Sequence, residues 1–125
     1  MSLADRLAGI AGRSTLRLTT RGRRTGRPHT VTVWFVIEGT TMYLATLNAK
    51  RDWVRNLARN PEATFDVGGL GLRGQVTTIG DPALAAHVGR LLAQKYWMAW
   101  IGSWLGRGAD RTFRVDGLEL SGGEP

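Results

Sequence analysis

The chain has no cysteine, which excludes disulfides, thiolate nucleophiles and thiolate-ligated metals and leaves the redox compartment unmarked. Histidine is scarce. His29 and His87 stand far apart, with no acid or second histidine at ligand spacing, so no metal site is expected. Ser14, Ser103 and Ser121 lie in no nucleophile-elbow pattern, and no pair of carboxylates stands out for acid–base work. If the protein is an enzyme, a cofactor carries the difficult chemistry and the protein supplies binding and orientation. No apolar run is long enough to span a bilayer. Leu7 to Gly12, bracketed by Arg6 and Arg13, is too short for a secretory segment, so a cytoplasmic protein is expected. Lysine is nearly missing as well. Only Lys50 and Lys95 occur, so the net charge of +7, from 17 Lys and Arg against 10 acids, is almost all arginine. Arginine favours bidentate contact with phosphate and carboxylate, although a general bias toward arginine would give the same count.

What is present fits one domain over residues 1–125, with ordinary apolar and charged fractions of 42% and 22%. Leu3, Leu7 and Ile10 at helical spacing predict a short amphipathic helix at about residues 2–12. Thr15–Thr20, Pro28–Ile37 and Thr41–Leu47 read as three strands of an antiparallel meander. Asp52 is expected to cap a helix running to Arg59, which Asn60-Pro61 ends. Glu62–Val67 and Leu72–Ile79 read as strands joined across Gly68-Gly69. Asp81-Pro82 opens a helix with Leu84, Val88, Leu91, Leu92 and Tyr96 on its buried stripe. Trp97–Gly108 resists assignment, and Arg111–Leu120 is a last strand. Six short, mainly antiparallel strands with flanking helices predict a small closed β-barrel of the α+β class.

The densest chemistry lies in Arg21-Gly22-Arg23-Arg24-Thr25-Gly26-Arg27-Pro28-His29, a connection between two strands, and no acid occurs from Arg6 to Glu38. Backbone donors, freedom at positive φ and positive charge are what an anion-holding loop needs. A solvated hairpin whose arginines contact nothing is the competing reading, and the sequence leaves the two about even. A second anion-ready segment is Ala45 to Trp53, where Lys50 and Arg51 precede a helix N-terminus. Asp52 offers the opposite reading there, a capping acid that fills the donors itself. The aromatics Tyr96, Trp97, Trp100 and Trp104 read as core packing or a homodimer contact before a lid over a flat ligand.

Leu16 to His29, the long strand after it, Asp52-Trp53-Val54-Arg55-Asn56-Leu57 and Asn60-Pro61-Glu62 together resemble the deazaflavin-dependent nitroreductase family, over roughly residues 14 to 80. That family has a split β-barrel of the FMN-binding type, a "TTxGRKTGxPR" hairpin and a "WxxNLxxNPxV" helix. The resemblance implies a reductase using coenzyme F-420 (8-hydroxy-5-deazaflavin), which passes hydride to a small electron-poor acceptor such as a quinone, nitroaromatic or activated alkene. It implies that Arg24, Thr25, Gly26, Pro28 and His29 hold the coenzyme phosphate, with His29 where relatives usually have arginine. It further implies that Ala45, Thr46, Asn48, Lys50 and Trp53 line the ring system, and that Asn56 ties its helix to the barrel. Tyr43, Tyr96 and Trp97 are then placed on the acceptor's side, with Tyr96 as proton donor. The sequence departs from the family at Asp52, where relatives carry a small or apolar residue, and in the shorter connection from Ala45 to Trp53. Sister branches bind FMN or haem, and FMN's phosphate suits the same loop.

Two expectations of other classes stand beside this one. A basic barrel could hold single-stranded nucleic acid on its arginines and tryptophans, but the tryptophans cluster late and away from the arginine loop, so no nucleic acid is expected. Leu3, Leu7 and Ile10 with flanking arginines would suit an accessory peripheral membrane contact.

Overall fold

A computed structural model describes residues 2–46, 48–96 and 111–121. The elements are α1 (Leu3–Ile10), β1 (Leu16–Arg21), β2 (Pro28–Glu38), β3 (Thr41–Thr46), α2 (Asp52–Arg59), β4 (Glu62–Val67), β5 (Leu70–Thr78), α3 (Pro82–Lys95) and β6 (Arg111–Leu120). The strands form a closed, wholly antiparallel barrel in the order β1-β2-β3-β6-β5-β4. The aromatic stretch Trp97–Gly108, including Trp97 as an acceptor-side residue, lies outside the described residues.

Alternation builds the core. Leu16 and Leu18 of β1, Val33 and Phe35 of β2, Ala63, Phe65 and Val67 of β4, and Phe113 and Val115 of β6 turn one face of each strand inward. β2 is long enough to serve two neighbours. It pairs with β1 from Pro28 to Val33 and with β3 from Trp34 to Glu38. Its other face carries Trp34 and Val36 outward, where α3 covers them with Val88, Leu92 and Tyr96.

The helices begin where their caps put them. Ser2 and Asp5 form a reciprocal capping box on α1. Asp81 accepts from the Ala83 N–H at 3.1 Å, with Pro82 in the first turn of α3. The apolar stripe of α1 packs into the core. Leu7 is fully buried and Ile10 is 8% exposed within the barrel core, and Leu3 packs against it. Those side chains are spent on the core of the fold. Among the described residues, no helix is long and apolar enough to cross a membrane.

Candidate functional site

The β1–β2 hairpin is shaped by its own small residues. The Gly22 N–H donates to the Arg27 carbonyl at 2.8 Å and the Gly26 N–H to the Gly22 carbonyl at 2.9 Å. Gly26 takes φ +72°, a region that side-chain-bearing residues avoid. A Cβ on Gly22 would stand 3.0 Å from Thr25 Oγ1 and 3.2 Å from the Arg27 carbonyl oxygen. Thr25 Oγ1 in turn accepts from the Arg27 N–H at 3.2 Å.

The four arginines of this hairpin do different things. Arg21 donates to the Gly26 carbonyl at 3.3 Å. Arg23 turns toward α2, where its backbone N–H and its guanidinium both donate to Asn56 Oδ1, at 3.2 and 2.9 Å. Asn56 is 3% exposed, and its amide donates to the buried Thr20 hydroxyl at 3.2 Å. One amide side chain therefore joins β1, the hairpin and α2. Arg24 and Arg27 are exposed and have no side-chain partner among the described residues.

Asp52 does not cap α2. The N-cap is Arg51, which makes no side-chain cap bond, and Asp52 is the first helical residue. Its carboxylate lies 3.5 Å from Arg23 and remains 68% exposed. It pairs with the Arg23 guanidinium and makes no capping bond to the helix N-terminus.

Two cavities flank the start of α2. One, of about 330 Å³, is lined by Arg23, Arg24, Thr25, Arg27, Pro28 and His29 of the hairpin with Asp52 and Asn56 of the helix. The other, of about 340 Å³, runs over Val31–Trp34 of β2 to Ala45, Thr46, Asn48, Arg51 and Trp53. Its far wall is braced locally. Thr46 Oγ1 donates to the Asn48 carbonyl at 3.1 Å, and Asn48 Oδ1 accepts from the Lys50 N–H at 2.9 Å.

Of the residues singled out in the sequence, Arg24, Thr25, Pro28 and His29 meet in the first cavity, and Ala45, Thr46, Asn48 and Trp53 meet in the second. Gly26 faces a third cavity on the other flank of the hairpin, and Lys50 lines none of the three. Arg27 and Arg51 belong to the two anion-ready segments without being assigned as coenzyme contacts, and the Val31–Trp34 segment is not singled out. Arg27 carried a signal, since it shares the loop. Val31–Trp34 carried none, because alternation assigns faces to a strand and says nothing of a groove along it.

Tyr43 and Tyr96 line neither of the first two cavities; both are buried where α3 covers β2 and β3. Beyond Val33 the β1 partner of β2 runs out, leaving Phe35 with unpaired main-chain groups on that edge. The Tyr96 hydroxyl fills the gap. It accepts from the Phe35 N–H at 3.1 Å and lies 2.8 Å from the Phe35 carbonyl and 2.7 Å from the Ser14 carbonyl, either of which takes its proton. Burial raises the Tyr96 pKa, with the Phe35 backbone bond opposing it. Service as a proton donor would require these bonds to break. Its ring stacks on Trp34 at 4.3 Å and 15°, so the wall of the second cavity rests on α3. Lys95 Nζ donates to the same Phe35 carbonyl at 2.9 Å and sits 3.6 Å from the Phe35 ring centroid. Burial lowers its pKa to about 8.

A family model described as Pyridoxamine 5′-phosphate oxidase matches residues 5–120 of the chain. No curated relative matches the sequence. Among solved structures, a candidate 5-nitroimidazole antibiotic resistance protein from Bacteroides thetaiotaomicron superposes with a TM-score of 0.68 at 17% identity, covering 91% of this chain and 80% of that one. The heme storage protein HutZ from Vibrio cholerae gives 0.66 at 20% identity, with 96% and 95% covered. General Stress Protein 26 from Bacillus anthracis gives 0.65 at 20% identity, with 93% and 89% covered. At such identities the likeness establishes the fold.

Proposed function

The chain belongs to the pyridoxamine 5′-phosphate oxidase family, and from that premise we propose that it is an oxidoreductase that holds a flat, phosphate-bearing redox coenzyme across the start of α2. The observation that carries this reading is the pair of partnerless guanidiniums, Arg24 and Arg27, lining a cavity beside a second one floored by the same strand. His29 and Val31 are two residues apart, about 7 Å at ~3.3 Å per strand residue. A ligand with an anionic end and a planar end, joined by a short linker, would fit both. The donors suit a phosphate: planar forks from arginine and backbone N–H groups beside a helix N-terminus.

The coenzyme we propose is reduced F-420, on the hairpin and helix motifs of the sequence, with a quinone, nitroaromatic or activated alkene as acceptor. When bound, it supplies the hydride. The chain's own contribution is placement: Arg24 and Arg27 hold the anionic end, Asn56 fixes the hairpin through Arg23, and Trp34 and Trp53 bound the ring's space. FMN is the second reading, favoured by one feature. Asp52 puts a mostly exposed carboxylate in the wall of the arginine cavity, which adds repulsion against the acidic polyglutamyl tail of the deazaflavin, a tail that FMN does not carry.

Parallel titrations with F-420, FMN and haem, read by quenching of tryptophan fluorescence, test the reading. Saturable quenching by F-420 or FMN supports it and ranks the two. Binding of haem alone would replace the reductase reading with a haem-carrier one.

A further inference from the structure

β1 and β4 pair over three positions, Arg17↔Asp66, Leu18↔Phe65 and Thr19↔Thr64. The same register carried on would set Thr20 opposite Ala63 and Arg21 opposite Glu62, an arginine facing a glutamate across an antiparallel ladder. Those pairs are not made. The two strands part at this point, and a cavity of about 190 Å³ opens where they part, lined by Thr19, Arg21, Gly26, Asn60, Glu62 and Thr64 among others.

The polar groups around it are incompletely used, and Arg21 and Glu62 are both exposed. Arg21 gives one N–H to the Gly26 carbonyl at 3.3 Å and forms no ion pair among the described residues. The Glu62 backbone N–H donates to Asn60 Oδ1 at 3.3 Å. That bond leaves the Asn60 amide NH₂ as remaining donor, and the Glu62 carboxylate has no partner among the described residues. An arginine and a glutamate on neighbouring strands can pair, as Arg73 and Glu119 do. Here both border one cavity unpaired. A lone anion entering it would meet Glu62, and a lone cation would meet Arg21. A ligand carrying both charges satisfies both.

The geometry points to a binding site for a small free amino acid in the gap between β1 and β4, its carboxylate on Arg21 and the Asn60 amide and its ammonium on Glu62. The volume corresponds to about six water molecules at ~30 Å³ each and is smaller than either cavity beside α2, which suits a small amino acid. The site is separate from the proposed coenzyme groove and does not rest on that reading. It lies on the opposite flank of the hairpin, and Pro28 borders both this cavity and the arginine one.

The test is a ¹H–¹⁵N NMR titration of the whole chain with L-alanine, with acetate and ethylammonium as half-ligands and no coenzyme present. The expected result is saturable shifting of the Thr19, Gly26 and Thr64 amides by L-alanine, with at least tenfold weaker binding of either half-ligand. Arg21→Gln and Glu62→Gln should each raise the dissociation constant at least tenfold while the rest of the spectrum is retained. If either fails to fold, Asn60→Asp, which sets a second carboxylate beside the ligand's own, must give the same loss. An absent or non-saturating response to L-alanine, acetate or ethylammonium binding as well as L-alanine, or unaltered affinity in the folded variants would overturn the site.

Discussion

Asn56 Oδ1 accepts twice from Arg23, once from its backbone N–H and once from its guanidinium, at 3.2 and 2.9 Å. The contact crosses from a helix to a hairpin tip, and it separates the arginine that holds the loop from the two that stay available to a ligand.

Replacing Asn56 with alanine should therefore weaken both stability and binding. It strands the Thr20 hydroxyl and the Arg23 N–H, and an unmade buried hydrogen bond costs about 1–3 kcal/mol. Urea unfolding should show a loss of that size. Coenzyme affinity should fall with it, because the loop loses its tether.

Arg24→Ala and Arg27→Ala should behave the other way. Both side chains are exposed and partnerless among the described residues, so the melting temperature should hardly move. A hydrogen bond to a charged group is worth roughly 1.5–3 kcal/mol, which predicts a loss of about ten- to a hundredfold in coenzyme affinity for each. Lys50→Ala should change affinity little, since that residue lines none of the three cavities.

Tyr96→Phe separates two roles for the hydroxyl. Its bonds to Phe35 and Ser14 predict that the variant loses about 1–3 kcal/mol of stability while turnover per folded molecule changes only severalfold. A collapse of turnover with stability unchanged would restore the proton-donor role.

Lys95 predicts a pH signature. Burial lowers its folded pKa to about 8 from 10.5, so between those values the unfolded chain binds more protons than the folded one. Stability should then rise as pH increases from about 8 toward 10. Above that the raised Tyr96 pKa acts in the opposite sense, because the unfolded chain gives up the phenolic proton first. In Lys95→Met the rise between pH 8 and 10 should disappear from denaturation midpoints.

Much of the fold was legible because alternation and turn residues are local. Glu62–Val67 and Arg111–Leu120 have the bounds their sequence suggests, α2 ends at Arg59 as expected, and the glycine-rich loop was visible as a hairpin. β5 begins at Leu70, earlier than Leu72, because Gly71 breaks the apolar pattern although its backbone pairs with Asp66. What sequence could not supply was the other side of each contact. The stripe on α1 is readable, but not which core residues receive it. Asp52 resembles a cap until Arg23 arrives from a distant hairpin, and Tyr96 resembles a site residue until the unpaired edge of Phe35 is in view. The parting of Arg21 from Glu62 depends on where a ladder stops, which neither strand encodes alone.

The account turns on whether the hairpin arginines hold the phosphate of the coenzyme. The most direct measurement compares F-420 and FMN with their dephosphorylated counterparts by fluorescence titration, in the parent protein and in the Arg24→Ala/Arg27→Ala double variant. At least one phosphorylated coenzyme should bind the parent tenfold or more tightly than its counterpart, and the double variant should erase that difference. Equal affinity of each pair in the parent, or a preference for phosphate that survives in the variant, would contradict it.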